Sequence, residues 1–266
     1  INRVFRAVLD PTPLVSGKGV EKLMAAVSET QTGIMEKEAR QLNEVFFKYI
    51  QTKIPFIAIK TAVSLDGKIA AATGESKWIT SDAARLHGHK LRDTYNAILV
   101  GIGTVISDNP SLTCRLPDGS GRDPIRIIVD SRLSIDEKAQ VLQQSSSAPT
   151  IIATTTQAPP DKMKRIEKLA KLLVINDGPR VDLPALLKCL GEMEITGILV
   201  EGGSRINGSF LRQNLIDKFY VYIAPKIIGS EKAPGPFNTG TVIPLDRVAE
   251  LTTMKITRLG RDFLIT

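Results

Sequence analysis

The sequence predicts an α/β fold: a mixed, mainly parallel sheet flanked by helices and finished by antiparallel strands at its C-terminal end. Three observations predict it. Several of the β-rich runs are continuously apolar, as strands covered on both faces must be. Helical stretches fit between most of them. From about residue 218 the alternation stops, and strands follow one another through loops.

In chain order, "RVFRAVLD" reads as a strand and "GVEKLMAAV" as a helix. "KEARQLNEVFFKYI" reads as one helix, with Ala39, Leu42, Phe46 and Tyr49 at helical spacing. The later strands are "FIAIKTAVS", "NAILVG", "IRIIVD", "TIIATT", "LLVI", "TGILVE" and "KFYVYIAP". Helices are expected at 81–93, 160–171, 184–191 and 204–213. A break falls at "QTKIP", residues 51–55. The roughly fifty residues before it are too few to bury much core alone; those after it are enough for a domain.

The 266 residues carry a net charge of +7, with basic residues scattered and only 5% aromatics. A nucleic-acid binder more often clusters its charge and supplies stacking rings, so a solvated basic surface or small anionic ligands fit the excess better. No apolar run is long enough for a membrane helix, and the start, "INRVFRAVLD", has no signal-peptide core. It also lacks an initiator Met, which points to a piece of a longer protein. Cys114 and Cys189 are isolated, as expected for a reducing cytoplasm.

Chemistry gathers at strand ends. In "FIAIKTAVSLDGKIA", Lys60, Ala62 and Ser64 share one strand face. A lysine inside an apolar strand needs a cleft or partner for its amine, or else its stem is buried and its head escapes at the sheet end. In "GESKWITSDAARLHGHKLR", Arg85, His89 and Arg92 sit on one helix face. Two guanidinium forks there suit an anion, although alone this would read as a solvated face. His87 and His89 read as surface residues, and Trp78 as core or a cofactor lid. "AILVGIGTVISDNPSLTCR" ends a strand in a weak GxG, with Asp108 and Arg115 around Pro110 in an irregular stretch. "IIVDSR" ends another strand at Asp130-Ser131.

In "ILVEGGSRINGSFL", Glu201 stands at the carboxyl end of a strand, where open α/β sheets place ligands. Gly202 and Gly203 permit a tight turn, and the next helix offers free N–H groups to an anion. A carboxylate beside a phosphate cradle follows from these pieces.

"KTAVSLDGKIA", "GESKWITSDAAR", "AILVGIGTVISDNPSLTCR", "PIRIIVDS", "VEGGSRINGSF" and "APKIIG" together resemble the bifunctional riboflavin biosynthesis deaminase–reductases of bacteria, in order and spacing across residues 55–266. The resemblance implies a dihydrofolate-reductase-like fold over residues 53–266. It also implies NADPH-dependent reduction of the ribosylamino group of 5-amino-6-(5-phosphoribosylamino)uracil, a phosphorylated pyrimidine substrate, and a homodimer or higher homo-oligomer. "VLDPTPLVSGKG" and "EARQLNEVF" resemble the end of the deaminase half, so residues 1–52 are expected to be its C-terminal part, with Thr12 where Asn is more usual. The zinc ligands H-x-E and P-C-x-x-C of such deaminases are not in this sequence, so zinc is expected only in a deaminase half upstream, and the metal set here is none.

By the same resemblance, Ala62, Trp78, Thr104, Asp108, Ser131, Gly203, Ser204, Arg205, Ile206, Asn207, Gly208 and Ser209 match cofactor contacts. Ser76, Arg92, Leu112, Arg115 and Glu201 match substrate contacts. Lys60 is the preferred proton donor because it shares a strand face with Ala62; Asp108, Glu201 and water are the alternatives. Rival readings are a dihydrofolate-type reductase, a non-catalytic NADPH-binding paralogue and a basic nucleic-acid module.

Overall fold

The computed structural model describes residues 3–12, 18–26 and 29–266. The middle of "VLDPTPLVSGKG", and Val27 at the end of the first expected helix, lie outside the described residues. The chain forms two units, Ile1–Phe56 with Leu187–Thr196, and Ile57–Leu186 with Gly197–Thr266.

In the smaller unit, β1 (Arg3–Arg6) pairs in parallel with β2 (Glu29–Thr32). Helix α1 (Lys18–Ala26) lies between them in sequence. The single helix expected over "KEARQLNEVFFKYI" is two, α2 (Glu36–Leu42) and α3 (Glu44–Thr52). Asn43 breaks it. Its main-chain N–H and its side-chain amide both donate to the Ala39 carbonyl, at 3.2 and 2.9 Å. A short amide competing for backbone carbonyls in this way closes one helix and starts the next. Gly191 belongs to this unit because it has no side chain: a Cβ there would overlap the Lys53 carbonyl. Tyr49 donates its hydroxyl to the Gly191 carbonyl at 3.0 Å.

The larger unit is built on one sheet. Its elements are β3 (Phe56–Ser64), α4 (Asp82–Thr94), β4 (Ala97–Gly101), α5 (Ile102–Asp108), β5 (Ile125–Val129), α6 (Gln140–Gln143), β6 (Thr150–Thr155), α7 (Pro160–Ile166), β7 (Lys171–Asn176), the first residues of α8 (Leu183–Glu192, which from Leu187 belongs to the smaller unit), β8 (Gly197–Val200), α9 (Ser204–Arg212), β9 (Lys218–Ala224), β10 (Ile256–Leu259) and β11 (Asp262–Ile265). The strands lie in the order β10-β11-β9-β3-β8-β4-β5-β6-β7. β4 runs parallel to both β5 and β8, β5 to β6, β6 to β7, and β3 to β9. Ile98, Leu99, Val100, Ile127, Ile128, Ile198, Leu199 and Val200 are wholly buried, which is why these strands read as unbroken apolar runs.

β10 pairs antiparallel with β11, and β11 antiparallel with β9. β9 opens the antiparallel end as expected: it runs antiparallel to β11 on one side and parallel to β3 on the other, since α9 carries the chain back across the sheet before it. The helix expected at 160–171 stops at Ile166. Leu169 and Ala170 both donate to the Ile166 carbonyl, at 2.8 and 2.9 Å, and this tight turn reverses the chain into β7. Helix α5, absent from the expected helices, exists because Val105 and Ile102 reach the core below it. It ends at Asn109 in the left-handed region.

Candidate active site

The site lies at the carboxyl ends of the central strands. The Glu201 N–H still donates to the Leu99 carbonyl at 3.0 Å, so the residue is fixed by the β4–β8 pairing. On β3, Lys60 and Ala62 are half-buried between buried neighbours. Gly88 of α4 lies over the lysine: a Cβ there would stand 3.6 Å from its Cε and 3.8 Å from its Nζ. The start of α4 is pinned by Asp262 of β11, which accepts the Ser81 N–H at 2.7 Å and the Ser81 hydroxyl at 2.6 Å. This anchor aims Arg85, His89 and Arg92 at the strand ends. They line a cleft of about 580 Å³ together with Lys60, Trp78, Arg115 and Glu201.

Arg92 grips Glu201 with both arms of its fork. Nε donates to Oε1 at 2.7 Å and Nη2 to Oε2 at 3.1 Å, while Nη1 donates to the Thr113 carbonyl at 2.9 Å. Lys60 Nζ stands 3.5 Å from Glu201 Oε2. Side-chain exposure is 10% for Glu201, 14% for Arg92 and 21% for Lys60. Burial by itself would raise the Glu201 carboxyl, but the charges of Arg92 and Lys60 and their hydrogen bonds outweigh it and draw it down to about 2. Burial opposes the Arg92 charge, and the Glu201 carboxylate overcomes it, leaving the guanidinium above its ordinary value. Lys60 Nζ also lies 5.5 Å from the centroid of the Tyr222 ring. The fully buried Tyr222 shares a 2.6 Å hydrogen bond with His87 Nδ1. Burial and the nearby Glu201 charge push the Tyr222 phenol upward.

Arg115 points differently from Arg92. Its Nη1 donates to Ser111 Oγ at 2.8 Å and Thr113 Oγ1 at 3.1 Å. Both side-chain partners are neutral hydroxyls. The ion pair with Asp108 that would have made Arg115 a loop brace is not formed. Asp108 is exposed at the end of α5, accepts from the Ser107 hydroxyl at 2.8 Å and does not line the cleft. Trp78 is 60% exposed rather than core. Its ring lies 4.6 Å from the Arg85 guanidinium, and Arg85 is further held by Asp82 and the Thr80 carbonyl.

On the other expected side, Thr104 is half-buried in the first turn of α5. At Gly203 a Cβ would meet nothing within 4 Å, whereas at Gly202 it would run into Ile206. The chain before α9 is thus close-packed below and open above. Asn207 is fully buried; its Nδ2 donates to the Pro236 carbonyl at 3.1 Å, and its Oδ1 has no partner. Gly208 lies against Asn238, whose carbonyl a Cβ would overlap. Ser209 donates to the Arg205 carbonyl at 2.9 Å. Ile206, Asn207 and Gly208 therefore shape the turn from behind, and Gly203, Ser204 and Arg205 form its open edge. Leu112, expected at the substrate, is buried at 3% exposure and packs in the core cluster with Val105 and Leu133. Ser76 is half-buried in the loop before Trp78. Ser131 Oγ accepts the Val181 N–H at 3.0 Å, and the adjacent Arg132 is exposed.

Two residues escaped the reading of the sequence. His89, taken for surface, is half-buried in the cleft wall and accepts the Arg115 main-chain N–H at Nδ1, 3.2 Å away. Its spacing between Arg85 and Arg92 was the available signal. Tyr222 offered none, since its position beneath Lys60 comes from the β3–β9 register, Ala62 opposite Tyr222.

A carboxylate clamped between cations, in a cationic cleft at the carboxyl ends of a mainly parallel sheet, belongs to α/β proteins that bind small anionic ligands. The RibD C-terminal domain family model matches residues 55–265, and the chain belongs to that family. It is 41% identical to the riboflavin biosynthesis protein RibD of Bacillus amyloliquefaciens, over its whole length and 71% of that protein. It is 42% identical to RibD of Aquifex aeolicus, of which it covers 72%. The structure of Acinetobacter baumannii RibD superposes with a TM-score of 0.83 at 31% identity, over 99% of this chain and 72% of that one. The Thermotoga maritima diaminohydroxyphosphoribosylaminopyrimidine deaminase/5-amino-6-(5-phosphoribosylamino)uracil reductase gives 0.81 at 34%, over 100% and 70%. The larger unit is accordingly a reductase domain of riboflavin biosynthesis, with the dihydrofolate-reductase-like fold. No described helix is long and apolar enough to cross a membrane.

Proposed function

We propose that the chain uses NADPH to reduce the ribosylamino side chain of 5-amino-6-(5-phosphoribosylamino)uracil to the ribitylamino form. The observation that carries this reading is the Lys60–Glu201–Arg92 cluster with Arg115 beside it. A charged, proton-bearing group and a guanidinium with neutral partners lie in one cleft sized for a small molecule. The reductase activity named for the Thermotoga relative supports the choice of substrate.

The dinucleotide fits this chain. The open edge at Gly203, backed by Ile206 and the orphaned Asn207 Oδ1, is a cradle that side chains would fill. Gly203, Ser204 and Arg205 would hold pyrophosphate at the start of α9. Ala62, Thr104 and Trp78 would flank the remainder, and Ser131 with Arg132 would meet the 2′-phosphate. When bound, a reduced nicotinamide supplies hydride.

The chain's own residues do the rest. The ring-opened substrate carries an imine at ribose carbon 1; reduction adds a hydride to that carbon and a proton to the nitrogen. Lys60 is the proton donor, its ammonium held at the cleft wall by Glu201. Glu201 stays ionised and orients the substrate, because Arg92 holds both its oxygens. Arg92 commits three donors to protein oxygens, which leaves the phosphate mainly to Arg115.

The test is NADPH oxidation, followed at 340 nm, with the ribosylamino pyrimidinedione phosphate as substrate and the ribitylamino product identified by mass. No oxidation, or oxidation with dihydrofolate instead, rejects the reading.

A further inference from the structure

His89 takes no part in the proton or hydride transfer, yet it lines the cleft. Its Nδ1 accepts the Arg115 N–H at 3.2 Å, and its carbonyl accepts the Cys114 thiol at 3.3 Å. An Nδ1 that accepts carries no proton, so the neutral ring must hold its proton on Nε2. Burial keeps the ring neutral, reinforced by the charges of Arg92 and Arg115 and of Lys60 and opposed by Glu201; the imidazole is brought down to about 4. At neutral pH the cleft thus contains one N–H of fixed tautomer that the described residues do not use, beside a guanidinium whose partners are all neutral.

We propose that His89 is a substrate-binding residue whose Nε2–H donates to the substrate phosphate alongside Arg115, with the Arg115 main-chain N–H fixing the tautomer and direction of that donor. This rests on the reading of the cleft as the site of a sugar-phosphate substrate. A phosphate offers more acceptor oxygens than one guanidinium fork uses. A neutral donor supplies a further hydrogen bond without adding a cation beside Lys60, Arg92 and Arg115 in the empty site.

The chain has only two histidines, so long-range ¹H–¹⁵N correlations of its imidazoles are simple to read. The free chain at pH 7 is expected to show an Nε2–H tautomer for the signal that disappears in His89→Asn. Ribose 5-phosphate, and more weakly inorganic phosphate, should shift that signal; ribose should not. In His89→Asn the amide oxygen replaces the Nδ1 acceptor but the distal donor is lost, so the substrate KM should rise about tenfold, one hydrogen bond to a charged group, with kcat and thermal unfolding little changed. His89→Gln, which reaches the Nε2 position, should recover most of that loss. A wild-type KM in His89→Asn, a ring protonated at Nδ1, or a His89 signal indifferent to both phosphate-bearing probes at tens of millimolar overturns the inference. A His89 signal that answers ribose 5-phosphate in a chain that oxidises no NADPH would instead reject the proposed reaction and leave this site standing.

Discussion

Arg92 holds both carboxylate oxygens of Glu201, at 2.7 and 3.1 Å, from a different element of the fold. The helix supplies the fork and the strand end supplies the acid. Lys60, on a third element, approaches the same oxygen that receives the longer bond. Three charges with little solvent are stable only as a set, and that interdependence makes the site testable.

Glu201→Gln removes the charge that compensates both cations. Breaking a buried pair by deleting one partner costs about 3 kcal/mol, and the Gln amide recovers only part of the Arg92 contact. Turnover should fall by about two orders of magnitude as Lys60 and Arg92 lose their common anchor, while NADPH affinity stays close to wild type, because the cradle at Gly203 does not use the carboxylate. Equal loss of cofactor binding and turnover would show that Glu201 serves the turn rather than the substrate. Single-turnover kinetics with a parallel urea titration separates the two.

Acid sensitivity follows from the same cluster. The Glu201 carboxyl is depressed to about 2 from an ordinary 4.5. Its contribution is therefore complete above the unfolded value and is lost as the pH falls from about 4.5 through 2, about 3 kcal/mol in all. His89 is depressed from 6.5 to about 4. The unfolded chain takes up its proton first, so this contribution is complete above 6.5 and is lost as the pH falls through 4. His87 is also lowered, chiefly by burial, and shares the upper window. Denaturant midpoints measured from pH 7 to 3 should fall throughout. The lower slope should flatten in Glu201→Gln, and part of the upper slope in His89→Asn. Parallel curves for wild type and both variants would contradict the assigned shifts.

The sheet was legible because burial on both faces leaves continuous apolar runs, as in "AILV" and "GILV". The strand-end chemistry was legible because "LVEGG" places an acid before two glycines. The boundaries that were misplaced depend on single hydrogen bonds. Asn43 spends two donors on Ala39, and nothing in a hydrophobic pattern distinguishes that from a continuing helix. The partner of Glu201 was out of reach for a different reason. Arg92 lies 109 positions away, and only the packing of α4 across the sheet turns two separate anion-site candidates into one ion pair.

Arg132 is exposed and next to Ser131, whose hydroxyl oxygen accepts the Val181 N–H. The two residues should therefore separate on mutation. Arg132→Ala should weaken NADPH binding by about tenfold or more and leave NADH binding unchanged, as for a lost charge-assisted contact to the 2′-phosphate. Ser131→Ala should also lower stability by about 1–3 kcal/mol, because it strands a buried N–H. Equal affinity of the wild-type chain for both dinucleotides, measured by fluorescence titration, would remove the 2′-phosphate from this corner.

Arg115 is the remaining discriminating residue. Its guanidinium touches only two hydroxyls, Ser111 Oγ and Thr113 Oγ1. Burial and the neighbouring Arg92 charge both disfavour its protonated form, with Glu201 opposing. A cation held beside another cation with neutral partners gains from an incoming anion. Arg115→Ala should weaken substrate binding by about one to two orders of magnitude, at roughly 1.5–3 kcal/mol for charge-assisted bonds. Arg115→Lys should recover only part of this, because an ammonium lacks the planar fork. NADPH affinity and thermal unfolding should stay near wild type, since no ion pair with Asp108 is lost and relief of the Arg92 repulsion offsets the two hydroxyl contacts. Dissociation constants for substrate and for NADPH, taken with the melting curve on the same preparation, decide it. If both affinities fall together with stability, Arg115 braces its loop and the phosphate must be sought elsewhere in the cleft.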